Sequence, residues 1–277
     1  MNDSRCCWDA QTYDEVSRVV QYQWGQQVLK WRKWNGNEII MDAGCGSGLL
    51  TKLLAKKVPR GKVYTVDIDV NMIRQAKMNL EDLQNVEIIL ADFTKVKLDR
   101  ELDVIFSNAA LHGVHDHTQV FQHFWKILKC NGLENTELLI QCGGHGNLRR
   151  TLTVLREIIE SNEFREYFAN MDKPWYFAKP ADTSNLVKRI GFINTKINTK
   201  VNLHNDRINL ANHKLYSRFV KTVIMKPFLE RLTEEKIKNR YLDLFLNKVE
   251  SDSSNSNASQ TTWSLDYVRL NIIAEKP

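Results

Sequence analysis

Two stretches carry residues whose types and spacing suit chemistry. MDAGCGSGLLT, residues 41–51, sets Asp42, Gly44, Gly46 and Gly48 at alternate positions. Glycines so placed let the backbone turn with positive φ and come close to a ligand. A dinucleotide loop reads Gly-x-Gly-x-x-Gly, and counted from Gly44 its third glycine would fall on Leu49. No Gly-Lys-Ser/Thr is present, which excludes a nucleotide P-loop. The second stretch, SNAALHGVHDH from Ser107 to His117, holds three of the chain's seven histidines. A base working near neutral pH, a metal site and a loop with no chemical role are the three readings. A metal needs three or four convergent ligands, and His112-x-x-His115-x-His117 offers two at best, so no metal is expected.

Both stretches need a frame. Apolar residues at spacings of three and four (Val16, Val19, Val20, Trp24, Val28, Trp31) predict a helix over 9–34, ended by Asn35-Gly36. Short apolar runs then alternate with helical periods. Strands are expected at 38–42, 62–67, 86–90, 102–107, 137–142 and 192–201, and helices at 49–57, 71–83 and 118–129. Asp182 or Thr183 is expected to cap a further helix through Arg189, with Gly191 following its end. This alternation predicts a parallel sheet with helices on both faces. Residues 206–249 read as mostly helical, with Pro227 interrupting or starting a helix. SDSSNSNASQTT, 251–262, reads as a mobile polar loop, and WSLDYVRLNIIAEK as a last strand. Asp116 and Gln119 form a capping pair for the helix near His117, which leaves His115 and His117 expected as solvated loop residues.

The glycine loop therefore joins the first strand to the next helix, where the ligand crevice of such a sheet opens. Asp67 ends the second strand 19 residues past Gly48, and a carboxylate there accepts both ribose hydroxyls of an adenosine. Asp69 competes for that role, but Asp67 directly ends the apolar run. Asp92 follows the third strand; a turn cap is its alternative role.

Loop, Asp67 and Asp92 in this order resemble the class I S-adenosylmethionine-dependent methyltransferases. The resemblance implies an α/β, Rossmann-like, seven-stranded, mostly parallel sheet with an antiparallel last strand and a helical insert before it. It implies a single domain over 1–277: a helical cap at 1–35, the core at 36–204, a substrate-capping insert and mobile loop at 205–262, and the final strand at 263–277. S-adenosylmethionine is the implied cofactor, with Asp42, Gly44, Cys45, Gly46, Gly48, Asp67, Ile68 and Asn108 around it. Asp92 would accept from the adenine amino group, with Met72 and Phe93 near the base.

SNAALHGVHDH, IQCGGHGNL, FVKTVIMKPFLERL and YVRLNIIAEKP together resemble, over nearly the whole chain, the trans-aconitate methyltransferase group. Two positions depart from it. The group's tryptophan after the histidine is Gly113 here, which opens room over the substrate. Its N-terminal arginine near the cofactor carboxylate is replaced by Gln23. His112 follows the fourth strand, where methyl acceptors bind in this superfamily. Its two readings are a pocket residue, acting as a base where the acceptor needs one, and a packed structural histidine.

A carboxylate acceptor is already anionic and needs no base. No dedicated acid or base stands out, so a methyl ester of a small, anionic, trans-aconitate-like acid is the expected product. Arg149, Arg218, Lys221 and Lys226 are candidate carboxylate ligands, and Trp175 and Tyr176 candidate lining. The alternatives are another small-molecule oxygen, nitrogen or carbon nucleophile, or RNA. A non-enzymatic cofactor-binding scaffold is a further alternative.

Composition constrains the rest. The net charge of +6, with an isoelectric point near 9.0, permits an anionic small molecule or a nucleic acid. The basic residues are scattered, and Ser-Asn-Ala-Ala is not the Asn/Asp-Pro-Pro-Tyr of amino methylases of adenine, so nucleic acid is not the expected partner. Five cysteines without a Cys-x-x-Cys pair suit free thiols in a reducing cytoplasm. No apolar run reaches the roughly 20 residues of a membrane span. The polar opening MNDSRCCWDAQTYDE carries no expectation of a secretory leader. Oligomeric state is left open.

Overall fold

The structure is a computed structural model that describes residues 10–130, 136–200, 207–210, 212–254 and 263–277. In chain order its strands are β1 (Ile39–Ala43), β2 (Lys62–Asp67), β3 (Val86–Leu90), β4 (Val104–Asn108), β5 (Glu137–Gly143), β6 (Ile193–Lys200), β7 (Arg207–Asn209), β8 (Ser264–Asp266) and β9 (Arg269–Glu275). The helices are α1 (Ala10–Ser17), α2 (Gln23–Val28), α3 (Leu49–Lys57), α4 (Val70–Asn79), α5 (His117–Ile127), α6 (Arg149–Ile159), α7 (Pro180–Ile190), α8 (His213–Phe219), α9 (Lys226–Leu229) and α10 (Glu235–Ser254). Two compact units divide the chain. The first holds Met1–His145, Trp175–Lys200 and Arg269–Pro277; the second holds Gly146–Pro174 and Val201–Val268.

The first unit contains a seven-stranded sheet in the order β3-β2-β1-β4-β5-β9-β6. The strands from β3 to β5 run parallel, and β9 is antiparallel to both β5 and β6. Side chains alternate across a strand, so one apolar run feeds two cores. Met41, Tyr64, Val66, Ile105, Leu138 and Ile140 join Val120, Phe121 and Phe124 of α5 and Val187 of α7 in one core. Ile40, Val63, Val104, Phe106 and Leu139 join Val28 of α2 and Leu54 and Ala55 of α3 in the other. The parallel strands β1, β2, β4 and β5 are thus buried on both sides, and the edge strand β3 only partly, in a doubly wound sheet.

Several boundaries differ from the sequence reading. The N-terminal helix does not run to Trp34: a π-helical turn at Arg18–Tyr22 separates α1 from α2, which ends at Val28. α4 ends at Asn79, short of the expected Leu83. α7 starts at Pro180, whose fixed φ suits a first helical turn. Neither Asp182 nor Thr183 caps it; Thr183 donates its hydroxyl to the Lys179 carbonyl instead. The last strand is two: β8 pairs with β7 in a separate two-stranded sheet, and β9 joins the main sheet. Of the polar stretch 251–262, residues 251–254 belong to α10, and 255–262 lie outside the described residues.

The second unit packs α6 against α10. Phe164, Phe168, Phe228 and Tyr241 form an aromatic cluster there, with ring centroids 5.2–6.2 Å apart in the contacting pairs. Pro227 lies in the first turn of α9, one residue past its start. Among the described residues no helix is long and apolar enough to cross a membrane.

Candidate functional site

Three elements bring the site together at the carboxyl ends of β1, β2 and β4. The loop after β1 needs its glycines for two different reasons. Gly44 has φ +75°, and a Cβ there would stand 2.3 Å from Ala110 Cβ, on the loop after β4. Gly48 has φ +82° at the start of α3, and its Cβ would meet Leu80 at 2.7 Å. Gly46 has φ +57°, but a Cβ there would meet only Met72 Sδ, at 3.9 Å. The first and third glycines let protein pack against the loop, and the middle one leaves it open.

Side chains fix the loop from below. Asp42 is buried and accepts a hydrogen bond of 2.6 Å from the Thr51 hydroxyl. Burial pushes the Asp42 carboxyl up to about 7, against the Thr51 bond, with Asp67 adding to the rise. Asp67 accepts from the Gly46 amide at 2.8 Å and the Asp69 amide at 2.9 Å. Burial raises its pKa too, partly offset by those amides. Asp69 is spent differently: it caps α4 by accepting from the Asn71 and Met72 amides. Asp67 is thus the one seen to hold the loop, through the Gly46 amide. Cys45 donates its thiol to the Gly46 carbonyl at 3.3 Å, and burial pushes that thiol well up.

A cleft of about 420 Å³, open to solvent, lies over this loop. Gly44, Cys45, Gly46 and Asn108 line it, as do Ser47, Leu49, Leu50 and Ala109. Tyr13, Asp14, Gln21 and Tyr22 close it from the N-terminal helical segment. Sequence reasoning missed this last set. Gln23 does not line the cleft and is exposed. The π-helical turn shifts the phase of the helix, so Gln21 faces inward, where it accepts from the Tyr13 hydroxyl at 2.5 Å. Asp14 is buried and accepts from the Ser47 hydroxyl. Asn108 donates to the Gln21 carbonyl at 3.1 Å, tying β4 to the same segment.

The other expected cofactor residues border the loop. Met72 is buried beside Gly46, and Phe93 would touch a Cβ on Gly44 at 3.6 Å. Ile68 is exposed. Asp92 accepts from the Thr94 amide at 2.9 Å and pairs with Lys95 at 3.5 Å, so it does serve as a turn cap. Burial works against its ionisation, but Thr94 and Lys95 outweigh it and hold the carboxyl below its ordinary value. The set fits S-adenosylmethionine: open glycine backbone, a carboxylate ending β2, and an acidic surround for a cation.

The three histidines part company. His115 is exposed. His117 is buried, not solvated: its Nε2 lies 3.2 Å from the Leu111 carbonyl, and its ring meets Tyr176 edge-on with centroids 4.9 Å apart. His112 sits in a 3-10 turn, Leu111–Gly113. Its Nδ1 accepts from the Gly143 amide at 3.1 Å, and its carbonyl accepts from the Tyr176 amide at 2.9 Å. Burial and His117 push its pKa down to about 4. Trp175 stacks on Phe177, which in turn lies beside the His112 ring. Arg149, Arg218 and Lys221 are exposed residues of the second unit, and Lys226 there bonds to Glu230 at 3.0 Å.

Residues 40–132 match the family described as "Methyltransferase domain". The match spans about a third of the chain, the part that carries the glycine loop, Asp67 and Asp92, and the sheet order and loop resemble those of the class I S-adenosylmethionine-dependent methyltransferases. Two curated relatives and one solved structure illustrate the likeness. A malonyl-[acyl-carrier protein] O-methyltransferase of Priestia megaterium is 31% identical over 142 residues, 50% of each chain. A trans-aconitate 2-methyltransferase of Shigella flexneri is 26% identical over 201 residues, 71% of each. Phosphoethanolamine N-methyltransferase 2 of Haemonchus contortus, solved with S-adenosyl-L-methionine, shares the fold at a TM-score of 0.58 and 18% identity, covering 97% of this chain and 56% of that one. The chain spans about half the length of the first curated relatives it matches.

Proposed function

We propose that this protein transfers the methyl group of S-adenosylmethionine to a carboxylate oxygen of a small anionic acid, making a methyl ester. The observation that carries the reading is the joining of the β1 loop to the β2 carboxylate. Asp67 holds the Gly46 amide and ends β2 beside an open cleft. A carboxylate has about four lone-pair sites, so two remain for a ribose diol. Asp42, Gly44, Cys45, Gly48, Ile68, Met72, Asp92, Phe93 and Asn108 complete the cofactor site, with Gln21 in place of Gln23. S-adenosylmethionine, when bound, supplies an electrophilic methyl on a sulfonium. The chain's own work is alignment and exclusion of water. Among the described residues no carboxylate bonds to His112, and a carboxylate acceptor needs none to deprotonate it. Two named relatives, acting on malonyl-acyl-carrier protein and on trans-aconitate, support a carboxyl acceptor. Trp175 and Tyr176 are proposed for its recognition in the first unit, in a cytoplasmic setting without a metal; Arg149, Arg218 and Lys221 belong to the second unit.

The test is an acceptor screen with methyl-labelled S-adenosylmethionine. It spans di- and tricarboxylates, fatty and isoprenoid acids, a malonyl thioester of acyl-carrier protein, and bulk RNA. Label released as methanol by mild base from a small acid supports the reading. Label that survives base, or enters only RNA, overturns it.

A further inference from the structure

The observations around His112 go further than its place in the loop. Its Nδ1 accepts the Gly143 amide at 3.1 Å. An amide has only a proton to give, so Nδ1 must present its lone pair, and the proton of the neutral ring resides on Nε2. Nε2 makes no hydrogen bond to any described residue, and His112 keeps part of its surface exposed, so this N–H is available. The backbone holds the ring in place twice over, because the Tyr176 amide donates to the His112 carbonyl at 2.9 Å. Phe177 flanks the ring at 5.9 Å, and His117 is the titratable neighbour that acts on it. Ala109, three residues earlier on the same loop, lines the cleft.

We propose that His112 is a fixed hydrogen-bond donor to the methyl acceptor, through Nε2–H, and that it selects an acceptor whose oxygen is already anionic. This rests on the reading of the chain as a methyltransferase. A base at this position would need Nε2 free of its proton, and the tautomer that the Gly143 amide enforces is the opposite one. The two roles predict different acceptors: a base serves a hydroxyl, amine or carbon acid, and a donor serves a carboxylate. Burial reinforces the arrangement, since the ring stays neutral down to acid pH.

Two measurements test this. The first is nitrogen–proton correlation spectroscopy of the whole protein with ring-labelled histidine, His112 being assigned by the signal lost in His112→Gln. The expected spectrum is an Nε2–H tautomer that does not titrate between about pH 5.5 and 8. An Nδ1–H tautomer, or titration near the ordinary histidine value, overturns the proposal. The second uses the carboxylic acid found in the screen. Expected is a kcat/KM that does not fall with protonation of a histidine. His112→Gln, which keeps an amide donor, should lose little. His112→Phe should lose roughly 10- to 100-fold in kcat/KM with cofactor affinity unchanged. A kcat/KM that drops tenfold per pH unit below about 6.5, with Gln as poor as Phe, makes His112 a base and overturns the proposal. Should no carboxylate be methylated, the reading of function falls, and the tautomer still decides whether His112 is a donor.

Discussion

Gly46 donates its backbone N–H to Asp67 at 2.8 Å, so the open point of the glycine loop hangs from the end of β2. One carboxylate thus positions the loop and is the one proposed to hold the cofactor. Asp67→Ala should weaken S-adenosylmethionine binding by roughly 100-fold or more, through loss of charge-assisted bonds to the ribose. Asp67→Asn keeps an acceptor for the Gly46 amide and should lose less, about tenfold. Titration calorimetry on both variants checks this. Equal, unchanged affinities would remove Asp67 from the site. Asp69→Ala should leave affinity within a few-fold and cost about 1 kcal/mol of stability, as loss of a helix cap does.

The glycines should separate by what surrounds them. Gly44→Ala drives a Cβ to 2.3 Å from Ala110 at a φ of +75°, and should destabilise the protein by at least about 2 kcal/mol. Gly46→Ala meets nothing closer than 3.9 Å and carries only the left-handed cost of about 1 kcal/mol. Gly113 has nothing within 4 Å of a would-be Cβ, so Gly113→Trp should change stability by less than about 0.5 kcal/mol. That variant should instead shift acceptor preference toward smaller acids. Urea unfolding of the three, with competition between short and long acids for the last, gives the answer. Equal losses at Gly44 and Gly46 would mean that packing on Ala110 does not matter.

The first half of the chain was legible because its signals are local and strong. β2 ends where its apolar run meets Asp67, β1 runs one residue past Asp42, and Asp116 caps α5 as its pairing with Gln119 indicates. The misreadings have physical causes. The π-helical turn at Arg18–Tyr22 leaves the apolar spacing helical while rotating which side chains face inward, so Gln21 replaces Gln23 at the cleft. His117 reads as polar, yet a buried carbonyl and an edge-on tyrosine accommodate it. α6 was not read at all, although Thr151, Val154, Leu155 and Ile158 repeat at helical spacing and are buried. The division of the last apolar run into β8 and β9 follows from two different partners, β7 and β5, which no local pattern encodes. The tautomer of His112 depends on Gly143, 31 residues away, and only the fold brings them together.

Asp42 sets a pH dependence whose sign is unusual for a carboxylate. Its pKa is raised to about 7 in the folded protein against 3.8 for the ordinary group. Between those values the folded state holds a proton that the unfolded state has lost, so stability falls as pH rises through the window. Three units correspond to a contribution of up to about 4 kcal/mol. Asp67, raised in the same direction, adds to it. Asp42→Asn retains an acceptor for Thr51 and removes the titration. Denaturation midpoints at several pH values should therefore decline from pH 5 to 8 more steeply for the natural chain than for Asp42→Asn. Parallel curves would mean that Asp42 is ionised throughout.

Arg32 should be the costliest exposed-looking residue to lose. Its guanidinium lies 3.4 Å from Glu38 and 3.2 Å from Glu137, and 5.0 Å over the Trp34 ring, with both the arginine and Glu38 side chains only 4% exposed. Glu38 in turn accepts the Asn35 amide at 2.7 Å and the Gly36 amide at 2.9 Å, fixing the turn that delivers the chain into β1. Glu137 opens β5, so the cluster links two strands of the sheet through one cation. Arg32→Met keeps the aliphatic stem over Trp34 but leaves two carboxylates without that charge. Removing one partner of a buried cluster costs about 3–5 kcal/mol, far above a surface pair. Chemical denaturation at pH 7.5 reads the loss. A loss below about 1 kcal/mol at pH 7.5 would show that water already screens the cluster and that the turn before β1 holds without it.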